Sequence, residues 1–227
     1  MRTKTLLIAA AALVAATVSS EAQVYSANIV GYANVVVPAG QFVLAANPFT
    51  TGNDVVSNVL NSASGIPGAT VCEIWNPVAG KFKLLTYNGN TGSWGAGGTN
   101  AIPPGTGFFL NNPSLAFTNT FVGSVVTPPG GTATNNFGTG LQLLGSQTPY
   151  GDSITNHSTI NLGSPTLAGG STLEVWSSTA GKFVLYTLQG NNWTHNPGSV
   201  VTNPPVAVGQ GFFVNSGTPV TWVQTLP

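Results

Sequence analysis

The chain delivers nearly the same message twice. Gly68-Ala69-Thr70-Val71-Cys72-Glu73-Ile74-Trp75, followed by Ala79-Gly80-Lys81-Phe82, returns as Gly170-Ser171-Thr172-Leu173-Glu174-Val175-Trp176, followed by Ala180-Gly181-Lys182-Phe183. Pro104-Gly105-Thr106-Gly107-Phe108-Phe109-Leu110-Asn111 returns as Val208-Gly209-Gln210-Gly211-Phe212-Phe213-Val214-Asn215. The Trp and Lys anchors are displaced by 101 positions and the Gly-Phe-Phe anchors by 104. A period of that size exceeds a solenoid rung, so it implies two domain-sized units.

Each unit reads as all-β. The 29 Gly and 16 Pro punctuate short runs rich in Val, Phe, Leu, Thr and Tyr, the pattern of short strands and frequent turns. Strands are expected at 28–37, 41–46, 70–76, 81–88, 107–111 and 116–126. In the second unit they are expected at 140–146, 171–177, 182–189, 211–215 and 219–225. One short helical turn is expected after Asn53, with Asp54 capping Val55 to Leu60, and a weaker one after Asp152. The fold class is therefore two tandem β-sandwich-like units of antiparallel strands with at most one or two short helical turns.

The first residues carry an export pattern. Arg2 and Lys4 precede an apolar stretch from Leu6 to Ala16, and Ser20-Glu21-Ala22 offers a small-x-small cleavage site before Gln23. The stretch is too short to span a bilayer. The expected division is a signal at 1–22, a first sandwich at 23–126, a linker at 127–136 and a second sandwich at 137–227. The expected destination is extracellular, cell-surface or periplasmic, with no membrane span after cleavage. The linker is the stretch Thr127 to Asn136, rich in Pro, Gly, Thr and Asn. An echo across it, Ile29-Val30-Gly31 against Phe121-Val122-Gly123, suggests that the strand ending one unit also opens the next.

Charge is nearly absent. After residue 22 the basic residues are Lys81, Lys83 and Lys182, and the acidic ones are Asp54, Glu73, Asp152 and Glu174. Ordinary globular proteins are about a quarter charged, so here Asn, Thr, Ser, Gln and Gly must make the surface. Such a surface has no field to steer or hold a polyanion, which excludes nucleic acid as a partner. It also lacks the repulsion that keeps soluble chains apart. Each unit of about 95 residues buries only about two-thirds of its unfolded surface, so packing of one copy on the other is an expected source of stability. Cys72, the only cysteine, occupies the position of Leu173 and reads as a buried thiol; no intramolecular disulfide is possible.

The duplicated hairpin supplies the candidate site. Strand alternation puts Cys72 and Ile74 inward with Leu173 and Val175, and leaves Glu73 and Trp75 outward with Glu174 and Trp176. On the return strand the same sorting puts Phe82 and Leu84, with Phe183 and Leu185, inward. The outer face then carries Trp75, Tyr87, Trp176 and Tyr186. Three coverings compete for it: the short helix or the other copy, a second chain, or a sugar stacked on the aromatic rings. Trp94 and Trp193 form a second matched pair after the Gly89 and Gly190 turns, either folded back over the hairpin end or exposed to a ligand. Gly105-Thr106-Gly107 and Gly209-Gln210-Gly211 do not make a phosphate loop, because no helix pattern, Lys or third Gly follows. They read as turns feeding a buried strand.

The order Gly31-Tyr32-x-Asn34, Leu44-Ala45-Ala46-Asn47-Pro48-Phe49 and Pro104-Gly105-Thr106-Gly107-Phe108-Phe109-Leu110-Asn111-Asn112-Pro113 resembles a group of uncharacterised secreted bacterial β-repeat proteins. The second copy departs from that pattern at Gln147-Thr148-Pro149-Tyr150 and at Val208. The resemblance implies a secreted or surface β-sandwich module of a group with no established activity and no known catalytic residues.

Enzyme chemistry finds little material. His157 and His195 do not align on the repeat and have no partner at metal-ligand spacing. The four carboxylates fall on different copies, which suits duplicated structural roles better than one glycosidase pair. No Gly-x-Ser-x-Gly elbow occurs. The expectation is a non-enzymatic, cofactor-free, secreted or surface structural or adhesive protein whose partner is itself. The alternative is a carbohydrate-binding module for surface polysaccharide, using Trp75, Tyr87, Trp94, Trp176, Tyr186 or Trp193. A hydrolase built on His157 or His195 is the remote third reading.

Overall fold

A computed structural model describes residues 29–60, 65–127, 129–177, 179–195 and 203–227. The expected export segment lies outside them. The protein is all-β, and every pairing between named strands is antiparallel. The first half comprises β1 (Val30–Val37), β2 (Phe42–Ala46), β3 (Val71–Asn76), β4 (Lys81–Thr86), β5 (Gly107–Asn111) and β6 (Phe117–Ser124). The second comprises β7 (Thr132–Phe137), β8 (Gly140–Gly145), β9 (Asp152–Ser153), β10 (Thr172–Ser177), β11 (Lys182–Gln189), β12 (Asn192–His195), β13 (Pro205–Val206), β14 (Gly211–Ser216) and β15 (Val220–Thr225).

Both halves close in a nested way. The outermost strands pair as a ribbon, β1 with β6 and β7 with β15. The next strands inward pair too, giving sheets of order β2-β5-β3-β4 and β8-β14-β10-β11, the latter extended by β12. One core fills the first half, with Phe49, Leu60, Ile102, Phe108 and Phe121 fully buried. The other fills the second, around Ile154, Leu162, Trp193, Phe212 and Trp222. Each half is thus a two-layer sandwich whose ribbon and sheet each supply one apolar face.

Two sequence expectations about the joins are corrected. Residues 132–136 are not linker, because they form most of β7 and pair with β15. Among the described residues no strand is shared between the halves. The echo at Val30-Gly31 and Val122-Gly123 has a different cause: Gly31 pairs with Gly123 across the first ribbon. A Cβ at Gly31 would strike the Phe49 ring, and one at Gly123 would lie 2.5 Å from the Thr50 carbonyl oxygen. The two glycines let residues 49–50 pass beneath the ribbon, so their likeness reflects a common neighbour and not a common strand.

The short helix α1 spans Val56–Val59, but Val55 stands at its N-cap with no side-chain cap. Asp54 is spent on the preceding turn, where its carboxylate accepts from Thr51 N at 2.7 Å and from Thr50 Oγ1 at 2.9 Å. No helix follows Asp152. Its carboxylate ties down the following turn, accepting from Ser153 N, Thr159 Oγ1 and Asn156 Nδ2. The bonds from Ser153 and Thr159, then Asn156, hold its pKa below the usual carboxylate range. A 3₁₀ turn at Gly95–Thr99, which the sequence pattern did not suggest, packs Gly98 against Ser57 of α1.

Cys72 sits wholly inside the first core. Burial, with a smaller contribution from the Glu73 charge, pushes its thiol pKa far up. The expected result is no reaction with a thiol reagent such as dithionitrobenzoate in the native protein and one equivalent after denaturation. Rapid labelling of the folded chain would contradict this placement.

Candidate interaction surfaces

The hairpin register corrects the sorting of faces. Trp75 pairs with Phe82, Glu73 with Leu84 and Cys72 with Leu85. The four-residue turn 77–80 sets the two strands one step out of parity, and cross-strand partners share a face. Phe82, Leu84, Phe183 and Leu185 therefore lie on the outer face with the tryptophans, while Leu85 and Tyr87 go inward. The second hairpin repeats this with Trp176 opposite Phe183 and Leu173 opposite Tyr186.

Most of that outer face is covered by the other half. Leu44, Phe109, Leu143 and Phe213 form a third apolar cluster, joined by Trp75, Phe82, Leu141, Trp176 and Phe183. Phe109 and Phe213 lie at its centre with ring centroids 6.4 Å apart. The seam is reciprocal down to single hydrogen bonds. Trp75 Nε1 donates to the Leu141 carbonyl at 2.8 Å, and Trp176 Nε1 donates to the Phe42 carbonyl at 2.7 Å. Leu141 and Phe42 are equivalent, each standing opposite the Asn four residues after the Gly of its Gly-Phe-Phe strand. Ala46 N donates to Gly209 O at 2.8 Å, and Gly145 N to Gly105 O at 2.9 Å. A sheet face that would be an exposed aromatic field in one unit becomes an interior in two. Glu73 stands on this face beside Leu84, and partial burial raises its pKa.

The other predicted aromatics pack into or against the two cores. Tyr87 and Trp94 are buried together with rings 5.2 Å apart, and Trp94 Nε1 donates to the Leu60 carbonyl at 2.8 Å. Trp193 is fully buried and donates to the Leu162 carbonyl at 3.0 Å. Both fold back over the hairpin end, and the hydrogen bond satisfies the one polar atom each carries inside. Tyr186 is half-buried on the second core, with His195 edge-on to its ring. His157 shares a hydrogen bond with Asn161 at 2.7 Å. Trp75 and Trp176 meet in the seam cluster, and Trp176 also borders open clefts. Among the described residues no three His, Cys, Asp or Glu side chains gather as metal ligands do. Nor does any described helix have the length and apolarity to cross a membrane.

Sequence reasoning missed the broadest exposed apolar face among the described residues. On the outer side of the β1–β6 ribbon, Tyr32 is 76% exposed, Val30 68%, Val36 61% and Val122 56%. Tyr32 and Val122 are direct cross-strand partners, and Asn34 pairs with Thr120 beside them through a 2.8 Å side-chain hydrogen bond. The equivalent side of the β7–β15 ribbon carries Thr132, Thr134, Asn136, Thr221 and Thr225 with a single Val223. Alternation along 30–37 was the available signal, but both parities there are apolar, so it did not reveal which side faces water.

No family model matches this chain, and no curated protein or solved structure matches it.

Proposed function

We propose that this is an exported, non-catalytic contact protein that associates with a second copy of itself through the outer face of β1 and β6. The observation that carries the reading is the exposed row Val30, Tyr32, Val36 and Val122 on one ribbon only. Solvated sheet faces ordinarily alternate to polar side chains, as the second ribbon does, so an apolar row left in water needs a partner.

Three features favour a copy of the same chain as that partner. The face carries no charge, so two of them meet without repulsion or desolvated ions. Its exposed Thr118 hydroxyl both donates and accepts and can pair with its counterpart across a twofold axis. The chain already buries one apolar sheet face against its own counterpart at the seam. With one such face among the described residues, association closes at a dimer and does not propagate into a fibre.

Sedimentation equilibrium of the purified protein is the test. The wild type is expected to dimerise in the micromolar range, corresponding to about −8 kcal/mol. The double substitution Tyr32→Thr/Val122→Thr should leave a folded monomer whose unfolding midpoint matches that of the wild type diluted below its dimer dissociation constant, since exposed side chains contribute within about 0.5 kcal/mol to folding and only the dimer adds more. A wild type that stays monomeric at about 1 mM would end the proposal.

A further inference from the structure

From the open end of the seam we infer a second binding function: a groove crossing Trp176 that takes a neutral oligosaccharide. Two clefts flank this indole, one of about 280 Å³ on the side of β1 and Gly209, the other of about 380 Å³ on the side of Gln41 and Thr179. Trp176 is the one residue shared by both linings, which places it between the two hollows. Their combined size falls within the range of small-ligand sites.

The two ends of the seam differ, and the difference is local. At the Trp75 end, Gln147 reaches across from the second half. Its Nε2 lies 3.4 Å from the Pro104 carbonyl, and a Cβ placed on Gly105 would meet its Cγ at 2.5 Å and Asn135 Nδ2 at 3.2 Å. By strand register the corresponding positions at the Trp176 end are Pro48 and Val35. Pro48 is buried and has no polar reach, and a Cβ on Gly209 would meet only apolar atoms within 4 Å, Val35 Cγ2 at 3.1 Å and the Phe121 ring at 3.8 Å. The plug present at one end is missing at the other.

The lining selects the ligand class. No charged residue lines either cleft. The polar groups are amides and a hydroxyl: Asn34, Gln41, Gln210 and Thr179. Gln210 Oε1 accepts from Ala207 N, and Asn34 Oδ1 accepts from Thr120 Oγ1, which leaves each NH₂ group to donate outward. An indole ridge flanked by neutral donors matches a pyranose, whose C–H face is apolar and whose rim is hydroxylated. Two hollows separated by one ring call for at least two sugar units. Uronic or sulfated sugars gain nothing here, because no lining cation pairs with them.

The test is indole ¹H–¹⁵N spectroscopy of the purified protein titrated with cellohexaose, maltohexaose, xylohexaose and mannohexaose. Trp176→Phe assigns the Trp176 signal by its disappearance. At least one hexasaccharide is expected to move that signal with millimolar saturation, and the matching monosaccharide to bind at least about tenfold more weakly. Ala207→Phe, at an exposed position on the cleft rim, should abolish the shift. The buried Trp94, Trp193 and Trp222 signals should stay in place in that variant and so report an intact fold. The titration is repeated in Tyr32→Thr/Val122→Thr, where binding should persist whether or not the chain dimerises. Failure of all four sugars to move the Trp176 signal overturns the inference. So does a shift that survives Ala207→Phe undiminished, or one equally large at Trp75.

Discussion

Phe109→Ala is expected to destabilise the protein by about 3–5 kcal/mol, the range for removing a large buried ring. Phe109 sits at the middle of the seam, edge-on to Phe42 and Phe82 of its own half and to Trp176 and Phe183 of the other, and tilted against Phe213. Its loss opens a cavity bordered by both halves, so neither half can collapse to fill it independently. Urea unfolding followed by tryptophan fluorescence measures the effect. Leu84→Ala is the control, since Leu84 belongs to the same sheet face but is 64% exposed; its cost should stay within about 0.5 kcal/mol. Equal costs for the two substitutions would show that the seam does not hold in solution.

Gly107→Ala and Gly211→Ala are the second pair with large expected effects. The second glycine of each Gly-x-Gly-Phe-Phe run marks a place where the backbones of the two halves almost touch. A Cβ on Gly107 would lie 2.8 Å from Leu144 O, and one on Gly211 would lie 2.6 Å from Ala45 O. Backbone cannot swing aside as a side chain can, so each methyl must prise the halves apart. Each substitution is expected to cost at least about 1–3 kcal/mol, the range for overpacking. Gly169→Ala provides the contrast, because nothing lies within 4 Å of a Cβ there. It should be neutral, or stabilising by about 0.4–1 kcal/mol through the unfolded chain. A scan in which the three alanines behave alike would remove close approach as the reason for these glycines.

Much of the fold was legible because the repeat and the turn residues agree. The strands around Trp75, Phe82, Phe108, Trp176, Phe183 and Phe212 fall where alternation and punctuation put them. The edges of the reading failed for identifiable reasons. Thr132-Ala133-Thr134-Asn135-Asn136 has the composition of a loop, and only its pairing with Val220–Thr225 makes it a strand, a long-range effect that local propensity does not carry. The face assignment of Phe82 turned on the register of a four-residue turn, which alternation within either strand leaves open. Asp54 resembled a helix cap, yet its oxygens satisfy the preceding turn. Of the six aromatic candidates, the buried positions of Trp94 and Trp193 followed from one of the two readings available for a Trp after a Gly turn. The exposed face at Tyr32 went unmarked, since Val-Gly-Tyr-Ala-Asn-Val-Val-Val presents apolar side chains on both parities.

The pairing of first and last strands within each half has a mechanical consequence. Tension on the first half enters near Val30 and leaves near Ser124, which are cross-strand partners; in the second it enters near Thr132 and leaves near Thr225, also partners. Pulled from its two ends, each half is therefore loaded in the peeling geometry, in which antiparallel bonds break in succession instead of sharing the force. Such a molecule yields softly and lengthens, so any cohesion it lends to its surroundings is that of a compliant spacer and not of a rigid strut.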